Sequence, residues 1–140
     1  MTTEAVKQLG RGNNGRSYWE VLVRGTEWTE AAIEVWMRKP RSLRRISLHG
    51  KVSLTELTEP IDYAVFDFGP NSVIVGLAPG DARFIEVERV PEPAVARVST
   101  RSLPWAGRTA WLGNLFADQR LIRVSALGKD GTVLSERIEN

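Results

Sequence analysis

Residues 120–138, RLIRVSALGKDGTVLSERI, constrain the fold more than any other stretch. Two runs of alternating apolar and polar residues flank Gly128-Lys129-Asp130-Gly131. A strand alternates because successive side chains point to opposite faces, and an Asp-Gly pair supplies the backbone conformations of a tight turn. The stretch therefore predicts a β-hairpin. Its Gly and Asp serve backbone geometry, not a metal or a phosphate.

The same grammar recurs upstream. Residues 17–24 (SYWEVLVR) set Trp19, Val21 and Val23 against Tyr18, Glu20 and Leu22. Residues 31–38 (AAIEVWMR) set Ile33, Val35 and Met37 against Ala32, Glu34 and Trp36. A helix capped by Thr29 competes for this run, but Pro40 would cut it short, so a strand is expected. Residues 43–48 and 52–57 read as a hairpin around His49-Gly50-Lys51. Further strands are expected over 63–68, 72–77, 82–90, 95–99 and 108–112, with turns at Gly69-Pro70-Asn71, Ala78-Pro79-Gly80-Asp81 and Pro91-Glu92-Pro93. About nine or ten strands with turns every ~8–12 residues predict an all-β antiparallel sandwich, immunoglobulin-like or related. Gly10-Arg11-Gly12-Asn13-Asn14-Gly15 breaks regular structure, so residues 1–16 are expected as a flexible lead-in and 17–140 as one domain.

Composition narrows the chemistry. The chain has 140 residues and no cysteine. That length buries a core without staples, and thiolate metal sites, disulfides and cysteine nucleophiles are excluded. His49 is the one histidine, which leaves a zinc site without enough ligands. Ser47 lies two residues from it, but a residue before Gly50 in a turn is expected to be polar and exposed in any case. Paired carboxylates, Asp62 with Asp67 or Glu86 with Glu88, form the basis of a remote hydrolase alternative. Glu86 and Glu88 share one face of a strand, about 7 Å apart, and solvent exposure explains them equally well. No catalytic residue, cofactor or metal is assigned, and the chain is read as a non-enzyme.

Contact chemistry concentrates in the first half. Residues 1–57 carry ten Lys/Arg against six Asp/Glu, whereas 58–140 carry nine against eleven. Residues 38–45 hold Arg38, Lys39, Arg41, Arg44 and Arg45, a cationic loop suited to an acidic surface or a phosphate backbone. Trp36 precedes it. Of five tryptophans, Trp19 and Trp111 are expected in the core, while Trp28 and Trp105 sit in loops as core lids or contact residues. The expected partner-binding set is Trp28, Trp36, Arg38, Lys39, Arg41, Arg44, Arg45 and Trp105. Its expected role is in a non-catalytic protein-interaction or structural module of a bacterial assembly. The alternative is a nucleic-acid-binding β-domain using 38–45. No apolar run reaches the ~18–20 residues of a membrane-spanning helix. As written the chain is expected in the cytoplasm, or outside the membrane if an anchor precedes it.

Residues 73–80 (VIVGLAPG) lead into 82–87 (ARFIEV), and 121–134 reads LIRVSALGKDGTVL. This cadence resembles uncharacterised actinobacterial immunoglobulin-like β-sandwich domains with a V-x-G-L-x-P segment and a final V-x-A-x-D-x-D-G hairpin. It spans roughly residues 72–134, with 18–24 as a first strand. The resemblance implies a β-sandwich, commonly displayed outside the membrane behind an anchor, and no catalytic residue. Gly128 stands where those domains carry an acid, and the cysteines they often carry are missing here.

Overall fold

The computed structural model describes residues 4–13, 18–38, 47–68, 71–91, 94–105, 107–116 and 118–139. They form twelve strands, one 3-10 turn and no α-helix. Every strand pair is antiparallel, in three four-stranded sheets. The all-β expectation holds, with two or three more strands than the nine or ten expected. The chain divides into two compact units, residues 1–56 and 57–140, where the sequence reading treats 17–140 as one domain.

The first unit is a meander of β1 (Ala5–Asn13), β2 (Tyr18–Gly25), β3 (Ala32–Arg38) and β4 (Ser47–Ser53), followed by a 3-10 turn at Leu54–Glu56. Strand β1 corrects the expected lead-in. Gly12 does not break the strand. It pairs with Trp19 on β2, where a Cβ would come within 2.5 Å of the indole. Glycine there lets the ring lie across the neighbouring backbone. Trp19 itself is half-buried, less than the core position expected of it. Strand β3 forms as expected, with Ile33 and Val35 fully buried beside Val21 and Val23 of β2.

Strand β4 replaces the hairpin expected around His49-Gly50-Lys51. All three lie in one strand, Gly50 opposite Val35 and Lys51 opposite Glu34, with a register shift between Val35 and Trp36 that absorbs His49. Gly50 is not among the glycines with positive φ, so nothing in its backbone demands a turn. The strand expected over 52–57 ends at Ser53.

The second unit holds β5 (Asp62–Phe68), β6 (Asn71–Pro79), β7 (Phe84–Val90), β8 (Ala94–Ser99), β9 (Arg101–Ser102), β10 (Arg108–Leu115), β11 (Arg120–Leu127) and β12 (Val133–Ile138). One sheet runs β5-β6-β10-β9 and the other β12-β11-β7-β8. One buried cluster draws on both: Ile74, Ala78, Trp111 and Leu115 from the first, Ile85, Val87, Val124 and Ala126 from the second. The apolar residues alternate as period two requires, so Ile85, Val87 and the stem of Arg89 face the core and Glu86 and Glu88 face away. The closing hairpin forms as predicted. Gly131 takes φ +85°, its amide donates to Gly128 O, and Asp130 Oδ1 accepts from the Thr132 amide at 3.0 Å. That amide holds the exposed Asp130 carboxyl below its usual range.

Candidate functional site

The alternation in β2 and β3 that buries Val21, Val23, Ile33 and Val35 leaves a second face of the first sheet rich in rings and charges. Tyr18 pairs with Arg38, Glu20 with Trp36, and Trp36 with Leu48 of β4, so all five share that face. Arg38 is exposed, and its guanidinium sits 5.2 Å from the centre of the Tyr18 ring. Trp36 is half-buried and its Nε1 donates to Glu34 Oε1 at 3.1 Å. Leu48 keeps 43% of its surface exposed, and Val6 of β1, opposite Arg24 on the same face, keeps 55%.

The carboxylates on this face are engaged within it. Glu34 receives the Trp36 indole and lies 3.5 Å from Arg24 Nε, Glu4 lies 3.6 Å from the same nitrogen, and Glu20 accepts from the Tyr18 hydroxyl. What faces solvent is therefore aromatic and aliphatic surface beside exposed Arg38 and Lys51. A guanidinium over a ring is attracted by the ring's negative face and stays available to an incoming carboxylate.

Of the expected contact residues, Trp36 and Arg38 come together here. Trp28 does not. It is half-buried in the β2–β3 turn, where the Glu27 carbonyl accepts from the Glu30 and Ala31 amides. That turn lies at the other end of the ladder, about 20 Å along it from Arg38 at ~3.4 Å per residue. Trp105 is half-buried in the second unit. Lys39, Arg41, Arg44 and Arg45 lie outside the described residues. The segment that carries them leaves β3 after Arg38 and re-enters β4 at Ser47, the end of the sheet that holds Tyr18. Sequence reasoning missed Tyr18, Leu48 and Lys51 as members of the face. Alternation alone places Tyr18 opposite Trp19, but only the cross-strand register shows that it meets Arg38.

The carboxylates considered for hydrolysis are occupied. Arg97 Nη2 donates to Glu86 at 2.6 Å and Arg123 Nε to Glu88 at 2.8 Å. Glu86, Glu88 and Arg123 line a shallow depression of about 230 Å3 with Val95, Ser125, Val133 and Glu136. Asp67 accepts from Ser72 Oγ at 2.6 Å. Asp62 accepts from Arg137 Nη1 at 2.8 Å, and Arg137 Nε donates to Glu139 at 2.7 Å. Burial alone would raise the Asp62 carboxyl, but hydrogen bonds from the Glu59 amide, Arg137 and the Tyr63 amide outweigh it and hold it below the usual range. Tyr63 donates to Glu139, and burial together with that carboxylate pushes the phenol far above its ordinary value. Arg137 also stacks on the Tyr63 ring at 4.7 Å. This cluster ties β5 to the end of β12 and offers no unengaged acid–base pair.

Among the described residues, no group of three or more His, Asp or Glu is placed to hold a metal ion. No helix among them is long and apolar enough to cross a membrane. No protein-family model matches the chain, and no curated protein matches it.

Proposed function

We propose that the chain is a non-catalytic protein-binding module that presents the Tyr18–Trp36–Arg38–Leu48 face to an acidic partner. One observation carries this reading: the face's own glutamates are satisfied internally, while Arg38 and the rings remain outward. Aromatic anchors supply contact area at low entropic cost, and exposed cations steer a complementary partner. Nucleic-acid binding through the same face is the second reading, since rings beside an exposed cation also suit a single strand.

An immunoglobulin-like sandwich is the proposed fold of the second unit. Its order β5-β6-β10-β9 corresponds to strands A-B-E-D, and β12-β11-β7-β8 to G-F-C with one added edge strand. The core tryptophan, Trp111, is on the strand corresponding to E, and no disulfide bridges the sheets. Module and sandwich together fit a structural or interaction role in a bacterial assembly.

Affinity capture from the native host tests the binding reading, with wild-type, Trp36→Ala and Arg38→Glu chains as parallel baits. Proteins retained by the wild type and lost by both variants support it. Truncating a central tryptophan costs about 2 kcal/mol or more, roughly thirtyfold in affinity. Equal capture by all three baits overturns it. A mobility shift of mixed-sequence DNA or RNA that weakens steeply with salt establishes the nucleic-acid alternative instead.

A further inference from the structure

Strand β7 turns Ile85, Val87 and Arg89 toward the core of the second unit. The first two are aliphatic and fully buried, and a third aliphatic side chain at 89 would complete the row. An arginine stands there instead, only 9% exposed. Its Nη1 crosses to the other sheet and donates to Asn114 O of β10 at 2.7 Å. Its Nε is buried without a hydrogen-bond partner. Among the described residues, no carboxylate forms an ion pair with it. A buried cation is costly unless a countercharge meets it, and a single carbonyl dipole does not balance a full charge. Reaching Asn114 O requires a donor but no positive charge, so that bond does not account for an arginine.

Beside this cation stands Phe116, at the turn after β10. Its side chain is 57% exposed, and Arg89 Cζ lies 5.9 Å from the ring centre. The Phe116 amide donates to Gln119 Oε1 at 3.0 Å, and its carbonyl accepts from the Gln119 amide at 3.1 Å. Gln119 thus engages both backbone polar groups of Phe116, and the turn holds the ring out beside the guanidinium. Leu115 precedes Phe116, and Leu121 of β11 lies opposite Arg89, each 9% exposed. A cation set among leucines with a positioned ring at its side is the donor set for an anion that carries an apolar group.

We propose that Arg89 and Phe116 form a binding site for a monocarboxylate joined to an apolar group. Arg89 Nη2, which makes no hydrogen bond among the described residues, donates to the carboxylate. The ligand's carbon skeleton lies against the exposed part of the Phe116 ring. One guanidinium balances the single charge of a carboxylate and would leave a phosphate monoester about half neutralised. This chemistry has two sources, a free carboxylic acid or a carboxylate of another polypeptide. The site belongs to the second unit and does not depend on the Tyr18–Trp36 face of the first.

Sodium benzoate and its neutral analogue benzamide test the site on the full chain. Benzoate is expected to move the Arg89 Nε–H and Phe116 amide resonances in a saturable titration. It is also expected to raise the urea midpoint above that in equal sodium chloride, as a ligand of the folded state does, while benzamide does neither. Arg89→Met keeps the apolar stem, removes the charge and is expected to weaken benzoate binding by about tenfold or more. Phe116→Ala, at an exposed position, is expected to weaken it with an unchanged circular dichroism spectrum. Two peptides separate the sources, one ending in leucine with a free carboxylate, the other with blocked ends and an internal Glu-Leu. Either peptide binding more tightly than benzoate assigns the site to a polypeptide, and peptides that bind no more tightly assign it to a free acid. Benzoate that acts no differently from benzamide or chloride, or that acts equally on Arg89→Met and Phe116→Ala, overturns the proposal and leaves Arg89 as a brace between the two sheets.

Discussion

Gly76 sits directly opposite Tyr63 on one side and Trp111 on the other, in a cross-strand row of ring, glycine, ring. The Trp111 indole is 1% exposed and donates to Leu77 O, and Tyr63 meets it edge-on with centroids 6.2 Å apart. A Cβ on Gly76 would come within 2.5 Å of the indole and 2.6 Å of Asp62 O. Backbone on one side and a locked ring on the other leave little room to give. Gly76→Ala is therefore expected to destabilise by about 1–3 kcal/mol, seen as a lower urea midpoint with unchanged slope. A midpoint equal to wild type would show that the row relaxes freely. The Gly12–Trp19 pair repeats the device in the first unit, and it explains why the lead-in was illegible. A glycine that accommodates a neighbour's ring is indistinguishable, in sequence, from a glycine that breaks a strand, until the cross-strand partner is known.

Elements were legible where a local device closes them. Gly128-Lys129-Asp130-Gly131-Thr132 carries the whole logic of its turn within five residues, and the hairpin is found where alternation puts it. His49-Gly50-Lys51 has similar letters but no positive φ, and it runs straight through β4. Gly131→Ala is expected to cost about 1 kcal/mol, because φ +85° strains any residue with a Cβ. Thermal unfolding of the variant checks this. A longer-range device holds the segment before β5. Arg108 donates to Leu57 O at 3.2 Å, Glu59 O at 2.8 Å and Pro60 O at 2.9 Å, and burial lowers its pKa while leaving it cationic. Three carbonyls converging on one planar fork suit arginine and not lysine. Arg108→Lys and Arg108→Ala are both expected to speed amide exchange at Glu59 and to open residues 57–60 to proteolysis. If lysine retains full protection, the fork geometry is not what holds the segment.

At the scale of the whole chain, the sequence discloses class but not pairing. Alternation finds most strands one at a time. That β6 neighbours β10, or β7 neighbours β11, depends on contacts tens of residues apart that leave no local mark. The candidate face shows the same limit: Trp36 and Arg38 stand out in sequence, while Tyr18 and Leu48 join them only through register. The Asp62–Arg137–Glu139–Tyr63 cluster is another such long-range construction, and it makes stability depend on pH at both ends. The Asp62 carboxyl is held below its ordinary value of 3.8, so its contribution is present above that value and is lost as pH falls through the folded pKa. The Tyr63 phenol is held above its ordinary 10.0, so its contribution is present below that value and is lost as pH rises beyond it. Urea midpoints measured from pH 2 to 11 are expected to fall at each extreme. Asp62→Asn removes part of the acid limb and lowers the plateau, because Arg137 loses a charged partner. Tyr63→Phe removes part of the alkaline limb and leaves the acid limb in place. Variants whose profiles run parallel to wild type across the whole range would show that the cluster holds β5 and β12 together by packing and not by charge.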